Sequence, residues 1–281
     1  MIRPHRDHRL AWLLLLPMLV IVGAMAIGPL VWTAWASLHL HDLRMPWRGR
    51  PFVGVANYAE LLRTERFLDA LGHTVFFTVL SVALELVLGL MLALGLDRAF
   101  RGRGLARAAA LLPWAIPTVV AGLLWRFLFE SWLVSPVLAW VPVIVADVWK
   151  STPFVALLLL AGLQAIDPAV HEAAAVDGAS PWHRLRYVTL PLLRPAIAVA
   201  VVFRSLDAFR VFDLIYVTTG GGPGTATEPL ALYTFAALLQ HLRFGYGAAL
   251  SVTIFACTAL IAVMSLRLLR PERAGRAERN R

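Results

Sequence analysis

The sequence predicts an all-α membrane protein with six transmembrane helices, and three observations carry that prediction. The first is composition: 59% of the 281 residues are hydrophobic and 15% are charged, with a mean hydropathy of +0.72. A soluble domain has roughly 45–50% apolar and about 25% charged residues. The second is a series of apolar runs of about 20 residues or more, the length a helix needs to cross the hydrocarbon core. The third is the placement of arginine, which supplies all but one of the 26 basic residues, the exception being Lys150. The net charge of +9 does not point to nucleic acid, because the arginines gather at the ends of apolar runs, where they set topology. The single cysteine, Cys257, excludes a disulfide framework or a thiolate metal site within the chain.

The first span is expected over Leu10–Leu38, after Arg3, Arg6 and Arg9. It exceeds the about 7–15 residues of a signal-peptide core, and no clear small-residue cleavage site follows, so it reads as a retained anchor. The loop after it carries Arg44, Arg48, Arg50, Arg63 and Arg66 beside Asp42, Glu60, Glu65 and Asp69, and is expected to fold on the surface. His39 and His41 in this loop have no third ligand and read as surface residues. The second span, Thr74–Leu96, holds a lone Glu85. The third, Ala106–Phe129, ends with Arg126 four residues before Glu130, an expected pair. The fourth, Val137–Leu163, is interrupted by Pro142 and Pro153. A short re-entrant or interfacial piece near Trp132–Trp140 is expected before it, and Asp147 and Lys150 are expected to pair within it. The fifth and sixth spans are Pro195–Val217 and Tyr246–Leu269. The layout is a tail over 1–9, an anchor with its external loop over 10–73, a five-helix core over 74–269 containing a hairpin at 167–193, and a tail over 270–281.

With the N-terminus inside, sixteen of the 26 basic residues fall on the cytoplasmic side, in the two tails, the 97–107 loop and the hairpin, counting Arg194 and Arg267 at the adjoining span ends. Six fall in the opposite loops, five of them in the first. The positive-inside rule therefore places both termini and the hairpin in the cytoplasm.

The hairpin reads as two short helices meeting at a bend. Asp167 caps the first with Pro168 at its first position, and Gly178 stands where a left-handed C-cap is wanted. Ser180 and Pro181 start the second, which carries Trp182, Leu185 and Val188 as an apolar stripe and is expected to end at Leu190–Pro191. From pattern alone, an ordinary amphipathic surface loop fits equally well.

The spacing Glu172-Ala173-Ala174, Asp177-Gly178-Ala179, Leu190-Pro191 resembles the EAA signature of permease subunits of ABC importers. The stretches "FVGVANYAELL" (52–62), "FRVFDLIYVTTGGGPGTATEPLALYTF" (209–235) and "FGYGAALSV" (244–252) resemble the carbohydrate-type members, those of maltose, trehalose and glycerol-phosphate import. The segment between the third span and Trp149 is short for that family. The resemblance implies a type I importer permease fold in a bacterial inner membrane. It implies that Glu172, Ala173, Ala174, Asp177, Gly178, Ala179, Leu190 and Pro191 form the coupling element that docks on an ATPase. It also implies a second permease subunit, an ATPase dimer that alone binds ATP, an extracytoplasmic solute-binding protein or lipoprotein, and a sugar as cargo.

A charge at a helix centre costs about 2.5–3.5 kcal/mol on insertion scales, so each one requires a reason. Arg204, Asp207, Arg210 and Asp213 follow one another at i, i+3 and can neutralise one another as a ladder. The other reading, supported by the resemblance, is that Asp207 and Arg210 face the pathway, with Phe209 and Tyr216 as aromatic neighbours of a sugar. The chain holds no phosphate-cradling G-x-x-x-x-G-K-[ST] loop, since Trp149 stands where the glycine before Lys150-Ser151 would have to be. Neither a G-x-S-x-G elbow nor an HExxH pair is present, which argues against a hydrolase. The alternative class is a proton-coupled secondary transporter using Glu85 or Asp207.

Overall fold

The computed structural model describes residues 4–269. The expected tail 270–281 and the first three residues of the expected tail 1–9 lie outside the described residues. In chain order the helices are α1 Pro4–Ser37, α2 Ala56–Arg63, α3 Glu65–Asp97, α4 Arg103–Ala110, α5 Leu112–Ala115, α6 Thr118–Leu128 and α7 Trp140–Gln164. There follow α8 Pro168–Val176, α9 Pro181–Arg184, α10 Leu190–Ala208, α11 Asp213–Thr218, α12 Leu230–Phe235 and α13 Phe244–Leu269. Among the described residues there is no strand, only the isolated bridges His39–Phe52 and Asp42–Arg243.

Five helical runs are long and apolar enough to cross a membrane: Trp12–Ser37, Glu65–Asp97, Trp140–Gln164, Pro181–Ala208 and Phe244–Ser265. A sixth is made by Arg103–Ala115 and Thr118–Leu128, which meet at an angle of 84°. Their outward surfaces are apolar: Met25, Phe127 and Val79 are among many large side chains more than half exposed. Patches on that scale are untenable in water and ordinary against lipid or another chain.

Three expected boundaries are corrected. The third span is not one straight helix, because Pro117 drives Ile116 to an extended conformation (φ −71°, ψ 132°) and stops α5. The fifth span starts far earlier than Pro195, since Leu190–Pro191 does not end a helix. Between α9 and α10 the residues Leu185–Thr189 form a π-helical turn, and the Leu190 N–H donates to the Leu185 carbonyl. Pro191 lacks an N–H and its ring would crowd the carbonyl four residues back, and the widened turn accommodates both. The same span ends at Ala208, and Arg210–Phe212 break it before α11. The irregular piece before the fourth span is present as a 3₁₀ turn at Glu130–Trp132 and turns up to α7.

The chain folds as two compact units, one of residues up to Glu65 with Thr234–Thr253, the other of Arg66–Tyr233 with the residues from Ile254 onward. In the first unit the loop after α1 is tied down, as expected of a loop that folds on the surface. Asn57 donates to the carbonyls of Ser37 (2.7 Å) and His39 (3.2 Å), and Arg243 pairs with Glu60 at 2.7 Å. Arg44 binds Asp42 at 2.6 Å and pulls its carboxyl down to about 2. In the second unit α3, α7 and α10 share a core that includes Ala93, Val155, Leu159, Leu160, Leu193 and Ala200. Gly162 permits the closest approach there: a β-carbon on it would lie 2.5 Å from Ala196 Cβ. Small residues at such crossings let membrane helices gain dispersion contacts, which replace the hydrophobic drive that lipid cannot supply.

Candidate functional site

The hairpin is built by its caps. The Asp167 carboxylate accepts from the Ala169 N–H at 2.9 Å, and Ser180 Oγ accepts from the His183 N–H at 3.3 Å. At the end of α8 the Ala179 N–H reaches the Ala174 carbonyl at 3.0 Å and the Gly178 N–H reaches Ala175 at 3.1 Å, the two bonds of a Schellman motif. Gly178 is left-handed at φ +79°, with open space where a β-carbon would stand. Glu172, Ala173, Asp177 and Gly178 are exposed, as are Val176 (88%) and Trp182 (64%), so the bend presents a mixed acidic and apolar face. Ala174 and Ala179 are half-buried, as is Leu190–Pro191, which lies beyond the bend in the long helix. Beneath the bend Trp182, His171, Leu94, Asp97 and Arg98 line a cleft of about 520 Å³.

The second constellation lies inside the spans. Arg204 is buried at 4% exposure and its guanidinium grips both Glu85 oxygens, at 2.5 and 2.7 Å. The same guanidinium reaches Asp147 at 3.1 Å and Asp207 at 2.5 Å. Glu85, expected to stand alone, is fully buried in this network. The expected pair Asp147–Lys150 is replaced: Asp147 turns to Arg204, and Lys150 donates to the carbonyls of Trp114 (3.1 Å) and Ile116 (2.7 Å). Those carbonyls are freed where proline breaks the third span, and an ammonium is well suited to satisfy them. Arg126 likewise leaves Glu130 for the Val217 carbonyl at 3.2 Å.

The ladder of the fifth span is only half formed. Arg204 and Asp207 pair, but Arg210 donates to the Leu206 carbonyl at 3.0 Å and Asp213 opens α11. Asp207, with 70% of its side chain exposed, and Arg210 line a cleft of about 170 Å³ with Asp147, Lys150, Phe212 and Asp213. Phe209 is buried at 4% and does not line it, and Tyr216 stacks on Phe212 outside it at 5.3 Å between ring centroids. Sequence reasoning thus found Asp207 and Arg210 together, but missed that Glu85, Asp147 and Arg204 are one cluster. The one available signal was Glu85, a carboxylate with no partner in its own apolar span, because Asp147 and Arg204 each had a neighbour of opposite charge at i, i+3. Among the described residues no group of three metal-ligating side chains occurs.

The family model described as "Binding-protein-dependent transport system inner membrane component" matches residues 85–271. The trehalose/maltose transport system permease protein MalF of Thermococcus litoralis is 40% identical over 282 residues, 94% of this chain and 95% of that protein. The trehalose transport system permease protein SugA of Mycobacterium tuberculosis is 40% identical over 276 residues, 93% and 89% of the two chains. The sulfoquinovosyl glycerol transport system permease protein SmoG of Agrobacterium fabrum is 37% identical over 287 residues, 94% and 91%. Among solved structures, a chain of a bacterial alginate ABC transporter superposes with a TM-score of 0.78 at 22% identity, over 96% of this chain and 98% of that one, a likeness of fold. These matches run through both the hairpin and the charged cluster. The chain belongs to the family of binding-protein-dependent transport system inner-membrane components, and it is a multi-pass permease subunit of an ABC importer, a transport component and not an enzyme.

Proposed function

We propose that this subunit forms half of the pathway of an ATP-driven sugar importer and receives the ATPase stroke through the Glu172–Pro191 hairpin. The relatives named for trehalose, maltose and sulfoquinovosyl glycerol favour a sugar or glycoside as cargo. The observation that carries the pathway is the cleft between Asp207, Arg210 and Lys150, a polar notch inside apolar spans. Its about 170 Å³ is well below the about 300–1,000 Å³ of complete small-molecule pockets, so a second permease subunit supplies the remainder. Carboxylate and guanidinium groups there offer the planar, bidentate partners that sugar hydroxyls require, and Phe212 and Tyr216 form the nearby aromatic pair. The partners are a second permease, two ATPase subunits that hold the ATP, and an extracytoplasmic solute-binding protein. The alginate transporter related in fold is described with such a periplasmic protein.

The proton-coupled alternative is disfavoured by Glu85, whose two oxygens are both taken by Arg204. The deciding experiment is uptake by the whole complex in cells given an uncoupler while ATP is maintained. Uptake should persist, and its collapse with ATP intact would return the reading to proton coupling.

Topology follows from the arginine asymmetry, with the hairpin and both termini cytoplasmic. Cysteines placed singly at His183 and Thr225, both exposed, in a Cys257→Ala background should react oppositely with an impermeant reagent on intact cells. Position 225 is expected to label and 183 to stay protected. Labelling at 183 would invert the orientation.

A further inference from the structure

We propose that the groove across the π-helical turn and the first turns of α10 is a binding site for the phosphate headgroup of an anionic phospholipid in the cytoplasmic leaflet. Arg186, Tyr187, Leu190, Pro191, Arg194 and Ile197 line it, around a volume of about 530 Å³. The inference rests on the cytoplasmic placement of the hairpin proposed above.

Three features identify the occupant. First, the charge has no internal answer. Arg44, Arg66, Arg204 and Arg243 each hold a carboxylate, whereas Arg186 and Arg194 are exposed with no carboxylate partner among the described residues. Two guanidinium groups lining one groove match a phosphodiester, which each can grip with paired N–H donors.

Second, the groove is amphipathic in the manner of a lipid. Half-buried Leu190, Pro191 and Ile197 form an apolar floor beside the two cations. A phospholipid brings its glycerol and upper acyl carbons to such a floor, whereas free phosphate leaves it uncovered.

Third, the groove's depth is fixed. Arg194 belongs to the apolar run Pro181–Ala208, so its guanidinium must reach up to the headgroup layer to stay solvated. Tyr187, 65% exposed with the Arg186 guanidinium 5.8 Å from its ring centroid, has the amphipathic character found at that level. The π-helical turn matters here because it resets the helical phase between Arg186 and Arg194, eight positions apart, while both still line the one groove. Anionic lipid on the cytoplasmic face attracts such basic pockets.

The test uses the assembled importer in phosphatidylcholine nanodiscs doped with a photoactivatable phosphatidylglycerol. Crosslinks should map to the 186–197 segment. Binding of phosphatidylglycerol should weaken about fivefold for each arginine replaced by glutamine and about thirtyfold in Arg186→Gln/Arg194→Gln. Arg186→Lys/Arg194→Lys should keep most of it, which separates charge from folding. Excess inorganic phosphate should leave the crosslink in place.

Crosslinks elsewhere, or equal occupancy in the double glutamine variant, would overturn the site. Displacement by inorganic phosphate would assign it to a soluble anion. Loss of ATPase co-purification at unchanged lipid occupancy would assign the two arginines to the ATPase subunit instead. Reaction of position 183 from outside would overturn the leaflet, and it is read in a separate experiment from the occupancy.

Discussion

Gly178→Val is expected to abolish binding-protein-stimulated ATP hydrolysis by the complex while leaving the subunit in the membrane at normal level. The Gly178 backbone is left-handed at φ +79°, and nothing lies within 4 Å of the position a β-carbon would take. The cost is therefore conformational, about 1–3 kcal/mol for a non-glycine residue held in that region, and greatest for a β-branched one. Valine should relieve it by abandoning the Schellman bonds at Ala174 and Ala175, which would swing α9 relative to α8 and misplace the face proposed to meet the ATPase. The spans are untouched, so insertion should survive. Glu172→Lys should give the same loss by a different route, because it reverses an exposed charge without altering the bend. Co-purification with the ATPase and stimulated hydrolysis are the two readouts. Wild-type values for both variants would reduce the hairpin to an ordinary surface connection.

Arg204→Met should cripple the subunit itself. Removing that guanidinium strands Glu85, which is fully buried, and leaves Asp147 without its cation. Breaking a buried ion pair from one side costs about 3–5 kcal/mol, a large share of the about 5–15 kcal/mol stability of a typical domain. Yield and thermal stability in detergent should fall together. Glu85→Leu added to Arg204→Met should restore part of both, because the uncompensated carboxylate is gone. Asp207→Asn should behave differently. Its side chain is 70% exposed in the cleft, so assembly and ATPase association should stay normal while transport changes. Parental stability of Arg204→Met would show that the network bears no structural weight, and unchanged transport by Asp207→Asn would remove that carboxylate from the pathway.

The sequence by itself determined the all-helical membrane class, the number of apolar runs and the caps and glycine bend of the hairpin. Each of these depends on neighbours along the chain. A run of apolar residues needs no partner to favour the bilayer, and Asp167, Gly178 and Ser180 act on backbone groups within a few residues. The family was legible for the same reason, since its signature is a contiguous stretch.

Tertiary structure decided which charges meet. Asp147–Lys150 and Arg126–Glu130 have the right spacing to pair, yet Asp147 bonds to Arg204 on α10 and Lys150 to carbonyls freed at the Pro117 break. In a low-dielectric span a cation goes wherever the most unsatisfied acceptors are, and those lie on other helices. It also decided where helices stop: Pro117 broke the third span by 84°, while Pro153 inside α7 and Pro191 beside a π-helical turn did not end theirs. A proline removes one donor and crowds one carbonyl whatever its context. Whether the chain bends or continues depends on what packs around the freed carbonyl, and that is set by helices far away in sequence.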